Sequence, residues 1–355
     1  MIGNGADGSV CHRRRLFAPS SASSRGVAEH PAFLFQSCAM RALVFDRNLE
    51  FRADYPDPVA APGESIVRVG FAGICGTDLE IARGYMQYRG VPGHEFAGCV
   101  VESQNPALRG KRVVGEINAG CGRCAMCAGG LARHCPDRTV LGILGRDGAF
   151  AEFLRLPDAN LIAIPDSIPD ELAVFTEPVA AAYEIFEQVH LSRDQTIAVI
   201  GDGRLGAIVA LALKGERYQP LVAGHHREKL ARLAELGIDT AEESSLRDKF
   251  QLVIDCSGSE SGFRRAAEIV RPRGKIILKS TAAAVAEINL TPIVVNEITV
   301  IGSRCGRFGP ALDALAGGKI DPRPLVDGVF ALDDGIAGFE AAKNPLNFKI
   351  LLRVP

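Results

Sequence analysis

Two groups of potential metal ligands follow one another in the first half of this chain. The later group reads C-x2-C-x2-C-x7-C and consists of Cys121, Cys124, Cys127 and Cys135. Four thiolates in a short span are the ligand set of a closed, tetrahedral structural Zn²⁺ site. The motif therefore predicts a loop, about residues 118–136, that folds around a metal ion.

A ferredoxin-type iron–sulfur cluster is the alternative for these cysteines, because Cys135 is followed by Pro136. Ferredoxin runs place three residues before the last cysteine, whereas seven stand between Cys127 and Cys135 here. The spacing therefore favours zinc.

The earlier group offers a different ligand set, Cys75, His94 and Glu95, with Asp78 close by in sequence. A cysteine, a histidine and carboxylates suit a catalytic Zn²⁺, which keeps one coordination position open for water or substrate. The sequence thus predicts two zinc ions per chain, one catalytic and one structural.

Composition excludes several other classes of protein. The 355 residues suffice for two domains, and 47% hydrophobic with 23% charged residues is ordinary for a soluble globular protein. No apolar run approaches the roughly 18 residues of a membrane span. A net charge of −2 gives no basic field for nucleic acid. The ten cysteines cluster at metal spacing, which favours a reducing compartment over a disulfide framework.

Residues 1–39 differ in composition from the rest of the chain. They carry four arginines, two acids and six serines, which is typical of an organelle transit peptide. A mis-assigned start or a disordered tail is the alternative, because an apolar strand pattern begins at Met40. We expect a chloroplast or mitochondrial location if this leader is a transit peptide, and a cytoplasmic one otherwise.

Beyond the leader the sequence pattern divides into three parts. Residues 40–160 contain short β-type runs separated by Gly and Pro, which predicts a β-rich, partly barrel-like unit. Residues from about 178 to 303 alternate apolar strands with helix-like stretches, which predicts a parallel sheet with helices on both faces. Residues 304–355 are mixed and end in a strand. The predicted fold class is therefore α/β.

A nucleotide-binding fingerprint lies in the alternating part. Residues 201–206 read G-D-G-R-L-G, after an apolar strand and before a helix, which is the context in which this motif binds a dinucleotide. The glycines let the backbone approach the pyrophosphate at the helix N-terminus; a structural turn is the alternative. Two metal sites and this fingerprint indicate a zinc-dependent dehydrogenase, whose cofactor contacts include Gly201, Gly203, Leu205 and Gly206.

The end of the next strand distinguishes NAD from NADP. An NAD site carries Asp or Glu there for the ribose 2′-hydroxyl. This chain has Gly224, His225, His226 and Arg227, which leave room for a 2′-phosphate and supply positive charge. The missing carboxylate favours NADP over NAD; alternatively, Arg227 only begins a solvated helix face.

In these motifs the chain resembles the zinc-containing medium-chain dehydrogenase/reductase family, which includes alcohol, sorbitol, threonine and glucose dehydrogenases. The resemblance extends from Met40 to the C-terminus. Its motifs are G-I-C-G-T-D at 73–78, G-H-E-F-A-G at 93–98, the four-cysteine lobe, T-E-P at 176–178 and the glycine-rich run. It implies a GroES-like catalytic domain, 40–178 and 304–355, and a Rossmann cofactor domain, 179–303. The active site would lie in the cleft between them.

The resemblance also assigns metal ligands. It implies that Cys75 and His94 bind the catalytic zinc, with Glu95 as a ligand or near-ligand. Alcohol dehydrogenases place a third ligand, a cysteine, where this chain has Glu177, and this departure is similar to the sorbitol and glucose dehydrogenase branches. A carboxylate gives the metal a harder environment than a thiolate does. The alternative for Glu177 is an acid that only stabilises a helix N-terminus.

A proton route is implied as well. Thr77 resembles the family's relay hydroxyl, and Glu80 stands where alcohol dehydrogenases often carry a relay histidine. Asp78 is predicted to fix the tautomer of His94. Arg304 follows a predicted strand in a segment that passes near the nicotinamide in this family, so we expect it to contact cofactor or substrate.

The sequence therefore predicts an oxidoreductase that transfers a hydride between a nicotinamide cofactor, NADP or NAD, and a small molecule. The substrate would be a secondary alcohol, polyol or sugar, or the corresponding carbonyl compound. Homodimers or homotetramers are usual for such folds. The alternative is a catalytically silent, nucleotide-binding relative that acts as a redox sensor or partner protein.

Overall fold

The computed structural model describes residues 39–279 and 289–355. Of the predicted leader only Ala39 falls within them, so the transit-peptide hypothesis concerns residues outside the described part of the chain. No helix of the described residues is long and apolar enough to cross a membrane.

Strands lie at or near the places that the sequence predicts. In chain order the strands of the described residues are β1 (Ala39–Phe45), β2 (Leu49–Pro56), β3 (Glu64–Ile74), β4 (Glu95–Glu102), β5 (Arg112–Gly115), β6 (Asn118–Ala119), β7 (Thr139–Leu141), β8 (Gly145–Arg146), β9 (Phe153–Pro157), β10 (Leu161–Ala163), β11 (Ile197–Ile200), β12 (Pro220–Gly224), β13 (Asp239–Glu242), β14 (Phe250–Asp255), β15 (Val270–Leu278), β16 (Thr299–Gly302), β17 (Val326–Ala331) and β18 (Lys349–Arg353).

Helices, most of them short, connect these strands. In chain order they are α1 (Gly76–Ile81), α2 (Ala125–Ala128), α3 (Asp170–Ala173), α4 (Thr176–Gln188), α5 (Arg204–Gly215), α6 (Arg227–Glu235), α7 (Glu260–Ile269), α8 (Thr291–Val295), α9 (Phe308–Ala316) and α10 (Gly335–Lys343).

A mixed sheet joins strands β3 to β5, β9 and β10 to the C-terminal strands β17 and β18. Its order is β10-β5-β4-β3-β18-β17, and β9 pairs with a further stretch of β3. The C-terminal β18 is antiparallel to β3, with Ile350 opposite Ile74. The C-terminal end of β3 therefore lies between β4 and β18, and α1 begins directly after it.

A parallel sheet of six strands follows the order β13-β12-β11-β14-β15-β16, which confirms the predicted α/β fold class. In β11, Ile197 and Val199 join one buried cluster while Ala198 and Ile200 join another, because both faces of the sheet are covered. Chain order reverses between β11 and β14. Sheets of this kind bind ligands outside the carboxyl ends of the strands at that switch point.

Helix α4 positions a predicted metal ligand. Its first turn carries Glu177, and its buried residues belong to the larger core cluster together with residues of α5 and α9. The predicted domain boundary at 178/179 falls inside this helix. The division of the chain into domains stays a prediction.

Candidate active site

One cavity of about 1000 Å³ gathers many of the predicted site residues. Its walls come from α1, β4, α4, the glycine-rich run and the segment after β16. The predicted residues that line it are Cys75, Thr77, Glu80, His94, Glu95, Glu177, Leu205 and Arg304. The other predicted residues lie outside this lining.

Strand pairing brings the three catalytic-type ligands together. β3 and β4 are antiparallel with Gly73 opposite Glu95, so the start of α1 reaches the start of β4. The ligand atoms of Cys75, His94 and Glu95 all lie within 4.8 Å of one another. A sulfur, an imidazole nitrogen and a carboxylate oxygen at that separation are donors that suit a catalytic zinc.

Asp78 accepts hydrogen bonds from the backbone next to this cluster. Its fully buried carboxylate accepts the backbone N–H groups of Cys75, at 2.8 Å, and Gly93, at 3.2 Å. His94 Nδ1 lies 3.3 Å from Asp78 Oδ1. Burial alone would lower the pKa of His94, but the charges of Asp78 and Cys75 outweigh it and raise that pKa well above its usual value. Nδ1 has no hydrogen-bond partner among the described residues, so either ring nitrogen of His94 is available to a metal.

The cluster also contains a buried carboxylate oxygen that has no partner. Glu95 is 1% exposed, and its Oε1 atom has no hydrogen-bond partner among residues 39–279 and 289–355. A buried carboxylate oxygen without a partner is costly. A zinc ion at the cluster would satisfy it, so the residues present fit the metal that the sequence predicts.

Glu177 lines the same cavity but lies outside the 4.8 Å group. Burial raises the pKa of its carboxyl, and the nearby Glu95 adds to this, whereas His94, Lys349 and Lys279 act in the opposite direction. Its assignment as the third protein ligand therefore stays a prediction.

Lys349 is a site residue that the sequence reasoning missed. Its Nζ atom lies 2.5 Å from Glu95 Oε2, and the side chains of the pair are 4% and 1% exposed. The ammonium also lies over the Phe175 ring, 5.6 Å from its centroid. The available signal was a lysine directly before three apolar residues in β18. Its partner, however, lies 254 residues away.

Replacing Lys349 by methionine is expected to lower the free energy of unfolding by about 3–5 kcal/mol, because the Glu95 carboxylate would stay buried without its counter-charge. Chemical denaturation measures this change. Lys343→Met is the matched control, because Lys343 forms an exposed pair with Glu340 that is worth less than about 1 kcal/mol. Equal losses in the two variants would show that the buried pair has no special role.

Lys279, at the end of β15, is a second cavity residue that was not predicted. Its Nζ atom donates to Ala181 O at 2.5 Å, Ser303 Oγ at 3.0 Å and Arg304 O at 2.8 Å. Burial lowers its pKa. The lysine thereby ties α4 to the segment after β16 along one wall of the cavity.

Thr77 and Glu80 lie on α1 beside the ligand cluster. Thr77 Oγ1 is 3.9 Å from Cys75 Sγ. Glu80 forms a 2.6 Å ion pair with Arg83 and is 39% exposed. A hydroxyl next to the ligand sulfur and a carboxylate open to solvent suit a proton route, and their roles in a relay stay predictions.

The four lobe cysteines converge as the spacing predicts. Their sulfur atoms lie within 4.8 Å of one another, and Cys124 Sγ is 3.7 Å from Cys135 Sγ. Backbone N–H groups of Arg123 and Cys124 lower the pKa of Cys121 to about 6, whereas burial raises that of Cys127 to about 11. Four thiols this close cannot all ionise without a cation, so the lobe fits a structural zinc.

The lobe also forms part of the cavity wall. Arg133 donates to Glu184 Oε2 on α4 at 3.1 Å and to Cys305 O at 2.8 Å. Arg304 donates to Arg133 O at 2.8 Å. His134 also lines the cavity. The predicted contact residue Arg304 is thus held in place by the lobe.

The glycine-rich run has the geometry of a dinucleotide-binding loop. Gly201 ends β11 with φ of +106°, which side chains rarely adopt. A Cβ atom at Gly206 would overlap Gly201 O, whereas a Cβ at Gly203 would meet no protein atom within 4 Å. Gly201 and Gly206 therefore fix the turn. Gly203 leaves open space at the N-terminus of α5, where a pyrophosphate would bind.

The end of β12 has a carboxylate beside it that the sequence did not predict. Residues 224–227 contain no acid, but the structure brings Asp202 there from the glycine-rich run. Asp202 Oδ2 accepts the backbone N–H groups of His225, at 2.9 Å, and His226, at 2.7 Å. Among the predicted phosphate-binding bases, Arg227 forms an exposed ion pair with Glu242 at 2.5 Å. The basic strand end therefore carries acids as well.

Two family models match the chain. The alcohol dehydrogenase GroES-like domain matches residues 61–166, and the zinc-binding dehydrogenase model matches residues 205–316. The first match contains both cysteine-containing clusters, and the second begins inside the glycine-rich run.

Individual relatives agree with these matches. The starvation-sensing protein RspB of Escherichia coli K12 is 30% identical over 306 residues, covering 80% of this chain and 90% of RspB. The L-threonine 3-dehydrogenase of Rhizobium etli CIAT 652 is 29% identical, covering 84% and 93% of the two chains. A solved structure of the RspB alcohol dehydrogenase from E. coli CFT073, complexed with NADH, aligns with a TM-score of 0.81 at 27% identity. That match covers 88% of this chain and 99% of the other. The chain therefore belongs to the zinc-containing medium-chain dehydrogenase/reductase family.

Proposed function

We propose that this protein is a zinc-dependent oxidoreductase that transfers a hydride between a nicotinamide cofactor and a secondary alcohol, polyol or sugar, or its carbonyl counterpart. The observation that carries the proposal is one cavity lined by Cys75, His94 and Glu95 at one place and by Leu205 of the dinucleotide-type loop at another. Such a cavity can hold a substrate oxygen and a nicotinamide side by side.

The residues around the cluster would orient substrate and move its proton. Zinc, when bound, supplies the Lewis acidity that makes a substrate hydroxyl acidic near neutral pH. Thr77 Oγ1, close to Cys75 Sγ, would accept the substrate proton and pass it toward Glu80 and solvent. Asp78, whose Oδ1 lies 3.3 Å from His94 Nδ1, would hold the imidazole in one orientation.

The substrate class follows from the metal ligands. Glu177 in place of a cysteine makes the site similar to the polyol and sugar branches of the family. A relative that is 29% identical is named an L-threonine 3-dehydrogenase, whose substrate is also a secondary alcohol. We therefore propose a hydroxyl group on a secondary carbon rather than a simple primary alcohol.

The cofactor that we propose differs from the NADP that the sequence favours. The sequence favours NADP because 224–227 lack an acid. Against this, the structure places Asp202 at that strand end and pairs Arg227 with Glu242. The RspB structure, 27% identical, holds NADH. On these grounds we propose NAD(H).

A redox sensor or partner protein is the second candidate, because one relative is named a starvation-sensing protein. The complete ligand and relay set, Cys75, His94, Glu177 and Thr77, supports catalysis instead.

Metal and cofactor content of the purified full-length chain test the proposal. We expect two zinc ions per chain, binding of NADH, and oxidation of secondary alcohols or polyols in a substrate screen. One zinc per chain, unchanged when Cys75 is replaced, together with no turnover, would contradict catalysis and favour the sensor.

Two expectations from the sequence remain proposals. We propose that the protein assembles as a homodimer or homotetramer, which light scattering measures. We also propose that residues 1–39 direct it to a chloroplast or mitochondrion, and that it is cytoplasmic if they do not. Fusion of 1–39 to a fluorescent protein tests the second proposal.

A further inference from the structure

We propose that Asp202, in the middle of the glycine-rich turn, selects NAD(H) over NADP(H). Its carboxylate stands where dinucleotide-binding folds usually place an acid from the end of the second strand. The inference rests on the proposed use of a nicotinamide cofactor, and it names the residue that decides which one.

The two strand ends explain why Asp202 can take this place. β11 and β12 are parallel neighbours with Ile200 opposite Ala223, and the turn after β11 brings the Asp202 side chain against Gly224. Gly224 has no side chain, and a Cβ atom there would overlap both the Cβ and the carboxylate of Asp202. An acid within the turn and a glycine at the strand end are therefore complementary.

The carboxylate is fixed in position and charged. Its Oδ2 atom accepts two backbone N–H groups, from His225 and His226, and its Oδ1 atom lies 3.0 Å from His226 Nδ1. The side chain is 7% exposed. Burial would raise the pKa of Asp202, but the hydrogen bonds from His226 and the charges of His226 and Lys229 outweigh it and hold the pKa below its usual value.

The surrounding charges disfavour a 2′-phosphate. Such a group brings about two negative charges next to Asp202. Arg227 pairs with Glu242 at 2.5 Å, and Glu242 is opposite Gly224 in the sheet. His225 Nε2 lies 3.2 Å from Glu243 Oε2. The bases that the sequence offers for a phosphate thus already face carboxylates.

Lys229, whose charge also acts on Asp202, is directed elsewhere. Lys229 is 3% exposed and donates to Pro345 O at 3.0 Å. Its ammonium also lies 4.5 Å from the centroid of the Phe348 ring. A ribose diol, which is neutral and can donate hydrogen bonds, suits this strand end better than a phosphate does.

The test compares dissociation constants of NADH and NADPH for the zinc-loaded, full-length protein, measured by nicotinamide fluorescence without any substrate. The wild type is expected to bind NADH more tightly. Asp202→Asn keeps a side-chain acceptor for the backbone N–H groups but removes the charge. It is expected to lower the ratio of Kd for NADPH to Kd for NADH by at least about tenfold, because a like-charge contact is removed.

Two further variants keep the test interpretable. Asp239→Asn makes the same change at the opposite, amino end of β13 and should leave the ratio unaltered. Glu242→Gln, on an exposed side chain, frees Arg227 and should tighten NADPH binding several-fold with little risk to folding.

The outcomes separate the inference from the proposed function. If Asp202→Asn weakens both cofactors equally, or if the wild type prefers NADPH and the variant does not change that preference, Asp202 only stabilises the turn and the inference is wrong. If the wild type binds neither cofactor, the proposed function itself fails, together with the inference.

Discussion

Replacing Cys75 by alanine is expected to remove one of two zinc ions and to lower kcat/KM by about 10³-fold or more. Cys75 supplies the thiolate of a cluster whose ligand atoms lie within 4.8 Å of one another. Lewis-acid activation of the substrate oxygen is worth several kcal/mol, and a loss of about 4 kcal/mol corresponds to about 10³-fold in rate. Metal analysis and steady-state kinetics on the same preparation measure both effects.

A matched variant separates the metal from general damage. Cys99→Ala makes the same chemical change in β4, outside both metal clusters, and is expected to retain two zinc ions and full activity. NADH binding should be similar in Cys75→Ala and in the wild type, because the cofactor loop is untouched. A Cys75→Ala protein with two zinc ions and undiminished kcat/KM would rule out this cluster as the catalytic centre.

The third ligand is tested by exchange rather than deletion. If Glu177 binds the metal, Glu177→Cys restores the ligand type of alcohol dehydrogenases and should keep zinc, whereas Glu177→Ala should lose it. Zinc retained in Glu177→Ala would instead support the helix-terminal role for this acid.

The predictable part of the site lies where ligands are close in sequence. Cys75 and His94 are separated by one short helix and a loop, and the antiparallel pairing of β3 with β4 then brings them together. The four lobe cysteines converge within fifteen residues. In both places a local motif and a general coordination rule suffice, because few chain conformations are compatible with the metal.

The unpredicted part depends on neighbours that only the tertiary fold creates. Lys349 reaches Glu95 because β18 pairs with β3, a contact between segments more than 250 residues apart along the chain. Asp202 occupies an unspecified position of the glycine-rich motif, and the glycine at 224 is the complementary signal. The position of such a charged side chain cannot be predicted from its own segment of sequence. The strand order of the sheet decides which strand ends are adjacent.

Replacing Cys135 by serine is expected to release the other zinc ion and to lower the thermal midpoint by about 10 °C. Cys135 is the fully buried member of the lobe, and its sulfur accepts the backbone N–H of Cys121 at 3.3 Å. Zinc binding is folding free energy for a loop that has little apolar core of its own. A loss of about 4 kcal/mol produces a shift of this size in a domain of about 200 residues. Calorimetry and metal analysis measure the two effects.

Loss of zinc from the lobe should also disturb the substrate cavity. Arg133 of the lobe contacts Glu184, and its backbone oxygen accepts a hydrogen bond from Arg304. Cys135→Ser is therefore expected to raise KM more than it lowers kcat, with proteolytic cleavage appearing between 119 and 138. Arg133→Gln provides the comparison, since it removes the contact with Glu184 while leaving all four thiolates. It should keep both zinc ions and share the rise in KM, with a smaller fall in the thermal midpoint than in Cys135→Ser because Glu184 loses its partner. A normal KM in both variants would mean that the lobe stabilises the fold without shaping the cavity.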